Sequence, residues 1–366
     1  PEKQELKKEL DRQMGLELEI PLIIGGREIQ TRDKGRQVCP HNHSHVLAHY
    51  SNAGEAEVSR AIEAARAAKP AWESMAWQER AAIFLKAADL ISQKYTHVLN
   101  GATMLGQSKN AFQAEIDATC EQVDFLRFNV GFMEEIYKSQ PRSEKGIWNR
   151  TEYRPLEGFV FALTPFNFTA IAGNLCTAPA MMGNTIVWKP SSTAVLSGYY
   201  IMNILKEAGL PDGVINFLPG KGSTIGKVVL SHEDLAGIHF TGSTAVFQTL
   251  WRKTGEYIDT YRSYPRIVGE TGGKDYIFMH PSANLKQVVT AAVRGAFEYQ
   301  GQKCSACSRL YLPRSRWEDF HGELERQIQT IQTGSVQDFS NSVNAVIDEK
   351  SFDDINGYIS RAEASD

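Results

Sequence analysis

The chain has 366 residues, enough to bury a large core spread over two or three domains. With 42% hydrophobic and 22% charged residues and only 14 prolines, it falls outside the disordered and fibrous classes. A formal net charge of −4 excludes a global basic field that would recruit nucleic acid or anionic lipid, so the expected partner is a small molecule.

Five scattered cysteines (Cys39, Cys120, Cys176, Cys304 and Cys307) argue against a disulfide framework and for a reducing compartment. No apolar run reaches the roughly 18 residues that a membrane-spanning helix needs. The chain opens on Pro1 rather than methionine, which leaves room for an upstream segment such as a targeting peptide.

In chain order, residues 1–15 read as a charged, solvated surface helix. Ile20 to Gln30 carries a Gly25-Gly26 turn between apolar runs, a hairpin at the edge of the structure. From Asn52 to Trp72 the residues Val58, Ala61, Ile62, Ala65 and Ala68 recur at helical spacing, with Asn52 as the expected cap. Trp77–Gln93 and Ala111–Tyr137 repeat the pattern, so much of the first third is expected to be helical. Ser139–Glu157 breaks it with Pro141, Gly146 and Pro155, and predicts an extended hairpin leaving the body of the domain.

The middle third alternates strand and helix: strands at 158–163, 185–188, 214–218 and 237–240, helices at 170–183, 193–208 and from 224. This is the order of a parallel α/β sheet of Rossmann type. After Glu270 a second unit is predicted, with a strand at 276–279, a helix at 285–298, a cysteine-bearing turn and a strand at 309–312. His41, His43 and His45 lack another convergent ligand and read as a solvated loop or strand, with no metal assigned.

Two segments carry chemistry. Gly269-Glu270-Thr271-Gly272-Gly273-Lys274 offers a carboxylate beside glycines, and Gln300-Gly301-Gln302-Lys303-Cys304-Ser305-Ala306-Cys307 offers a thiol, Cys304 standing 34 positions after Glu270. Brought together, they could serve as water-activating base and thiolate nucleophile in thioester chemistry. The competing readings are a buried cysteine acting as a small hydrophobe, a Cys-x-x-Cys redox or zinc pair, and a glutamate balancing charge beside a turn. A lone Cys-x-x-Cys with no second pair makes a poor zinc site.

With Pro165-Phe166-Asn167-Phe168, Trp188-Lys189-Pro190-Ser191 and Phe240-Thr241-Gly242-Ser243, these segments form an ordered set that resembles the aldehyde dehydrogenase superfamily. Phe166-Asn167-Phe168-Thr169-Ala170, Glu270-Thr271-Gly272-Gly273, Phe247 and Ser305 point within it to the branch that oxidises glutamate semialdehyde, the open form of 1-pyrroline-5-carboxylate.

The resemblance implies an α/β fold with a Rossmann-type NAD domain (1–138 and 158–268), an oligomerisation hairpin (139–157) and an α/β catalytic domain (269–366) that stops short of its usual end. It implies Cys304 as nucleophile, Glu270 as base and Asn167 as oxyanion donor. Asn167 alone would otherwise read as a turn asparagine. NAD would be held by Phe166, Lys189, Ser192, Gly220, Gly242 and Ser243, the last two meeting the pyrophosphate at a helix N-terminus. Ser192 stands where strict NAD users often carry a glutamate, which leaves NADP use open. The Gly220–Gly226 turn is weak evidence alone, since such turns also simply join strand to helix.

Substrate selection would fall to Glu121, Phe168 and Ser305, which could equally be a solvated glutamate, a core phenylalanine and a turn serine. A homodimer or higher homo-oligomer in the mitochondrial matrix is the expected setting. The competing functions are another aldehyde dehydrogenase, such as one for succinic semialdehyde, and a non-catalytic cofactor-binding fragment.

Overall fold

Successive residues of a strand point to opposite faces, and the middle strands of this chain are apolar on both. They can be stable only with helices covering each face. The computed structural model, which describes residues 1–365, has this layering. The first part holds α1 (Glu2–Met14), β1 (Leu18–Ile20), β2 (Leu22–Ile24), β3 (Arg27–Ile29), β4 (Lys34–Cys39) and β5 (Asn42–Ser51). Helices α2 (Glu55–Ser74), α3 (Trp77–Leu90), α4 (Thr96–Gln107), α5 (Ala111–Ala114) and α6 (Glu121–Lys138) follow.

The alternating series is β6 (Phe159–Leu163), α7 (Thr169–Met181), β7 (Thr185–Lys189), α8 (Val195–Ala208), β8 (Ile215–Phe217), α9 (Gly222–Leu230), β9 (Leu235–Thr241), α10 (Thr244–Glu256) and β10 (Arg266–Glu270). The last part holds β11 (Asp275–Phe278), α11 (Leu285–Phe297), β12 (Cys307–Tyr311), α12 (Trp317–Ile328) and α13 (Glu349–Glu363).

Seven strands form the main sheet in the order β10-β9-β6-β7-β8-β2-β3. The first five run parallel, and β2 is antiparallel to both β8 and β3. Val160, Ala162, Ile186 and Trp188 bury one face against α3, α6, α7 and α8. Phe159, Phe161, Val187, Ile238 and Phe240 bury the other against α2, α9 and α10. The chain leaves β6 through β7 and β8 on one side, then returns to lay β9 on the other side of β6. That reversal opens a crevice at the carboxyl ends of β6 and β9. The parallel pair β11-β12 forms a separate small sheet, with Met279, Val289, Ala292 and Phe320 as its own core.

Several elements depart from expectation. One stripe of α1 is buried, with Leu6, Leu10 and Gln13 packed towards α4, because their helical spacing collects the few uncharged positions on one face. The cap of α2 is Gly54, whose N–H donates to Glu57, while Asn52 bonds Asp33 instead. The first third also contains a three-stranded sheet, β1-β5-β4, whose bulges at Gln37–Cys39 break the alternation that would reveal it. His43 and His45 lie on β5. The segment 139–157 is exposed along most of its length and carries one bridge, Glu144–Ile147, in place of paired strands. Gln140 and Ser143 close it by side-chain bonds to Thr151 and Asn149.

α10 begins at its cap Ser243, the helix N-terminus that the family resemblance implies there, and β10 extends the main sheet as far as Glu270, where the sequence suggests a new unit. Phe247 on α10 stacks on Phe240, ring centroids 5.5 Å apart, and lies across Gly269 of β10. A Cβ at Gly269 would come within 2.2 Å of the Phe247 ring, whereas one at Gly272 would meet nothing within 4 Å. Gly269→Ala is therefore expected to cost roughly 1–3 kcal/mol by overpacking. Gly272→Ala should stay within about 0.5 kcal/mol of the parent. Denaturant titration checks the pair, and equal stabilities would contradict the Phe247 contact.

Candidate functional site

The crevice is a cleft of about 460 Å³ lined by the ends of the central strands, the loop after β6 and the turn carrying Cys304. The main-sheet wall comes from Thr164 to Asn167 after β6, Lys189 at the end of β7 and Phe240 to Ser243 at the end of β9. Thr271, Gly272 and Gln302 to Cys304 form the opposite wall. The two chemistry-bearing segments meet there. The Gly273 N–H donates to the Cys304 carbonyl at 3.0 Å, and a Cβ on Gly273 would come within 2.6 Å of that oxygen.

Each remaining residue has a definite place. Asn167 donates one amide N–H to the Gln302 carbonyl at 2.9 Å, which leaves the second N–H of the same amide. Its Oδ1 is buried without a partner. Glu270 ends β10 with an exposed side chain, and its carbonyl accepts from the Gly242 N–H at 3.1 Å. Its charge also acts on His239, which bonds the Leu175 carbonyl at 3.0 Å and is pulled below the ordinary histidine range by burial. Ser305 is exposed just past Cys304.

On the cofactor side, Phe166, Lys189, Gly242 and Ser243 line the cleft. Ser243 caps α10, accepting from Val246 N–H at 3.3 Å, so a helix N-terminus opens onto the crevice. Lys189 is 8% exposed, and burial lowers its ammonium to about 8. Among the described residues its one protein acceptor is the Pro190 carbonyl at 2.9 Å, so an ammonium with donors to spare faces the cleft. Hydroxyl or anionic oxygens of a ligand would satisfy it.

Two cofactor candidates lie elsewhere. Ser192 is exposed beside the Tyr50 phenol, and Ser191 takes its place on the cleft wall. Gly220, at φ +151°, packs against the Ala53 backbone and holds the β8–α9 connection in place, while Gly222 reaches the cleft.

Glu121 and Phe168 lie outside this cleft, in a charged cluster that the sequence did not reveal. Lys109, its side chain 0% exposed, places Nζ 2.5 Å from Asp117 Oδ2, and Lys303 reaches the same oxygen at 3.2 Å. The Lys109 ammonium also lies over the Phe168 and Tyr299 rings, 4.3 and 4.4 Å from their centroids. Asp117 occupies a widened helical turn, Glu115–Cys120, which delivers it and then Glu121 to this region. Burial, then the Asp117 charge, lifts the Glu121 carboxyl to about 7 against the opposing Lys109 and Lys303. Its Oε2 is buried and unpartnered. Gln107 ties the walls together, donating to the Phe166 carbonyl, accepting from Thr169 Oγ1 at 2.9 Å and receiving the Tyr299 hydroxyl on its own carbonyl at 2.7 Å.

Two of the other thiols differ from Cys304 in being fully buried. Burial pushes Cys39 up to about 12 and Cys176 well above the usual thiol range. Both are inert at neutral pH, whereas Cys304 is half-buried on the cleft wall.

The Glu121 shift has a sign that can be tested. Between its ordinary value of 4.5 and about 7, the folded state keeps a proton that the unfolded state has released. Stability therefore falls as pH rises through that window. Glu121→Gln removes the slope, so its Tm is expected to gain on the parent's from pH 4.5 to about 7 and then level off. A constant difference across that range would contradict a buried, protonated Glu121.

Comparison with known proteins agrees with this geometry. The aldehyde dehydrogenase family profile matches residues 28–366. The chain is 53% identical over 356 residues to a protein of Schizosaccharomyces pombe named probable delta-1-pyrroline-5-carboxylate dehydrogenase, covering 96% of this chain and 65% of that protein. It is 46% identical over its full length to the mitochondrial delta-1-pyrroline-5-carboxylate dehydrogenase of Mus musculus, again covering 65% of the relative. It thus spans slightly under two thirds of the length of these curated relatives. Among solved structures, the NAD-bound delta-pyrroline-5-carboxylate dehydrogenase of Mycobacterium tuberculosis superposes with a TM-score of 0.98 at 48% identity, over all of this chain and 68% of that one. The chain belongs to the aldehyde dehydrogenase family.

Proposed function

We propose that the chain carries the cofactor cleft and nucleophile of an enzyme that oxidises L-glutamate 5-semialdehyde to L-glutamate with NAD, a step of proline catabolism. The observation that carries this reading is the Gly273–Cys304 hydrogen bond, which joins the glutamate-bearing and cysteine-bearing segments at the mouth of the switch-point crevice. Relatives at 46–53% identity named for this activity, and a solved relative bound with NAD, support the substrate and the cofactor.

In this reading residues 1–138 and 158–268 hold the cofactor, and 269–366 bring the nucleophile. Lys189 would bind the sugar hydroxyls, and the α10 N-terminus at Gly242 and Ser243 would meet the pyrophosphate. NAD supplies the hydride acceptor.

The protein residues do the rest. The Cys304 sulfur adds to the aldehyde carbon, forming a C–S bond while the carbonyl electrons move onto oxygen. The Cys304 backbone N–H and the second Asn167 amide N–H stabilise that oxyanion, a contribution of about 2.7–4 kcal/mol per donor in comparable sites. Loss of hydride from the same carbon leaves a thioester on Cys304. Glu270 then takes a proton from water as the water oxygen attacks the thioester carbon, releasing glutamate and the thiol. Glu121 would line the substrate entrance, Phe168 would pack against the aliphatic stem and Ser305 would donate to the substrate carboxylate. The exposed arm, with Ile147 and Trp148 at 57% and 77% exposure, would pair subunits of a homo-oligomer. Relatives named as mitochondrial in Mus musculus and Dictyostelium discoideum support a mitochondrial location.

The test is NADH formation with glutamate semialdehyde, against succinic semialdehyde as comparator. Cys304→Ala should lower turnover at least roughly 10³-fold while NAD still binds. Turnover retained in the variant, or a preference for succinic semialdehyde in the parent, would overturn the reading.

A further inference from the structure

The backbone just before Cys304 is held in an unusual conformation. Tyr299 and Gln300, neither a glycine, take φ of 51° and 53°. Consecutive left-handed residues with side chains persist only where their surroundings over-determine them. Here the surroundings are electrostatic as well as steric. Tyr299 is fully buried under the Lys109 ammonium, with its hydroxyl fixed on the Gln107 carbonyl. Lys303 is bound between Asp117 at 3.2 Å and Glu298 at 3.4 Å, and the intervening Gln302 carbonyl is held by Asn167.

A lysine–aspartate pair at 0% and 3% side-chain exposure is a poor way to stabilise a core, since apolar residues of the same volume usually do as well or better. What this pair does that apolar residues could not is present a fixed carboxylate to a second lysine, the neighbour of Cys304. Burial lowers Lys109 to about 8, so it remains charged at neutral pH and the pair stands.

We propose that Lys109 and Asp117 are positioning residues for the nucleophile. Asp117, anchored by Lys109, grips Lys303 from beneath and, with Tyr299 clamped under the same ammonium, holds the strained 299–303 backbone so that Cys304 lies on the cleft wall. The inference rests on the reading of Cys304 as the nucleophile.

The test is carbamidomethylation of the full-length protein with iodoacetamide at pH 7, followed peptide by peptide by mass spectrometry, beside NAD affinity and steady-state kinetics. In the parent, Cys304 should react first. Lys109→Met and Asp117→Asn should each slow Cys304 at least tenfold and lower kcat in parallel. Cys307 labelling and KM for NAD should stay within twofold.

If a single variant fails to fold, the double variant, which leaves no lone buried charge, and Lys303→Met are read in the same way. A Cys304 rate within twofold of the parent overturns the proposal. So does a parallel change in Cys304, Cys307 and NAD affinity, which would mark the pair as a support of the fold alone. If another cysteine is the fast thiol in the parent, the nucleophile reading itself fails and the positioning role falls with it.

Discussion

The hydrogen bond from the Gly273 amide to the Cys304 carbonyl is the contact on which the site depends. It ties the turn after β10, the last strand of the main sheet, to the turn before β12, a strand of the second sheet. With the β11–β12 pairing and the Asn167–Gln302 bond, it sets the carboxylate-bearing and thiol-bearing segments side by side. A side chain at Gly273 would collide with the carbonyl, so the glycine at that position serves close backbone approach.

Around that contact the fold divides the labour by environment. The cofactor side is built from strand ends and a helix N-terminus, groups that are fixed once the sheet forms. It includes a buried lysine with donors to spare. The far side of Cys304 is built from ionisable side chains in a largely buried pocket, where a charge needs a partner. The same pocket raises the Glu121 carboxyl and lowers the Lys109 ammonium, two opposite consequences of burial. The half-buried cysteine thus stands between a polar cleft shaped by backbone and a charged pocket shaped by side chains.

Much of this was legible in the sequence. The run Gly158–Leu163, the Trp188-Lys189 strand end and the helix after Thr193 carried clear apolar patterns, and their alternation gave the parallel sheet. Motif residues at strand ends located the cleft, because in such sheets loops at the carboxyl ends carry chemistry. The hidden parts had weak patterns for physical reasons. α10 buries only Leu250 and Thr254, so its start was legible from the motif at Ser243 and its length was not legible from periodicity. β4 and β5 are irregular in register, and β5 carries His43, His45 and His49. Lys109 sits in the polar run Gln107-Ser108-Lys109-Asn110, which reads as an exposed turn, yet Ser108 and Lys109 are both 0% exposed. The Lys109–Asp117 pairing spans a widened turn that no 3.6-residue periodicity anticipates. Ser192 and Gly220 were placed by the family resemblance, and they lie one and two positions from the cleft-wall residues Ser191 and Gly222.

The most direct test of the central claim, that Cys304 and Glu270 act in sequence on one carbon, is to look for the covalent intermediate. Full-length Glu270→Gln protein mixed with NAD and glutamate semialdehyde should release about one NADH per site in a burst. Acid quench and peptide mass spectrometry should then find the glutamyl acyl group on Cys304. A burst with no adduct, an adduct on another residue, or unchanged steady turnover in the variant would contradict the account.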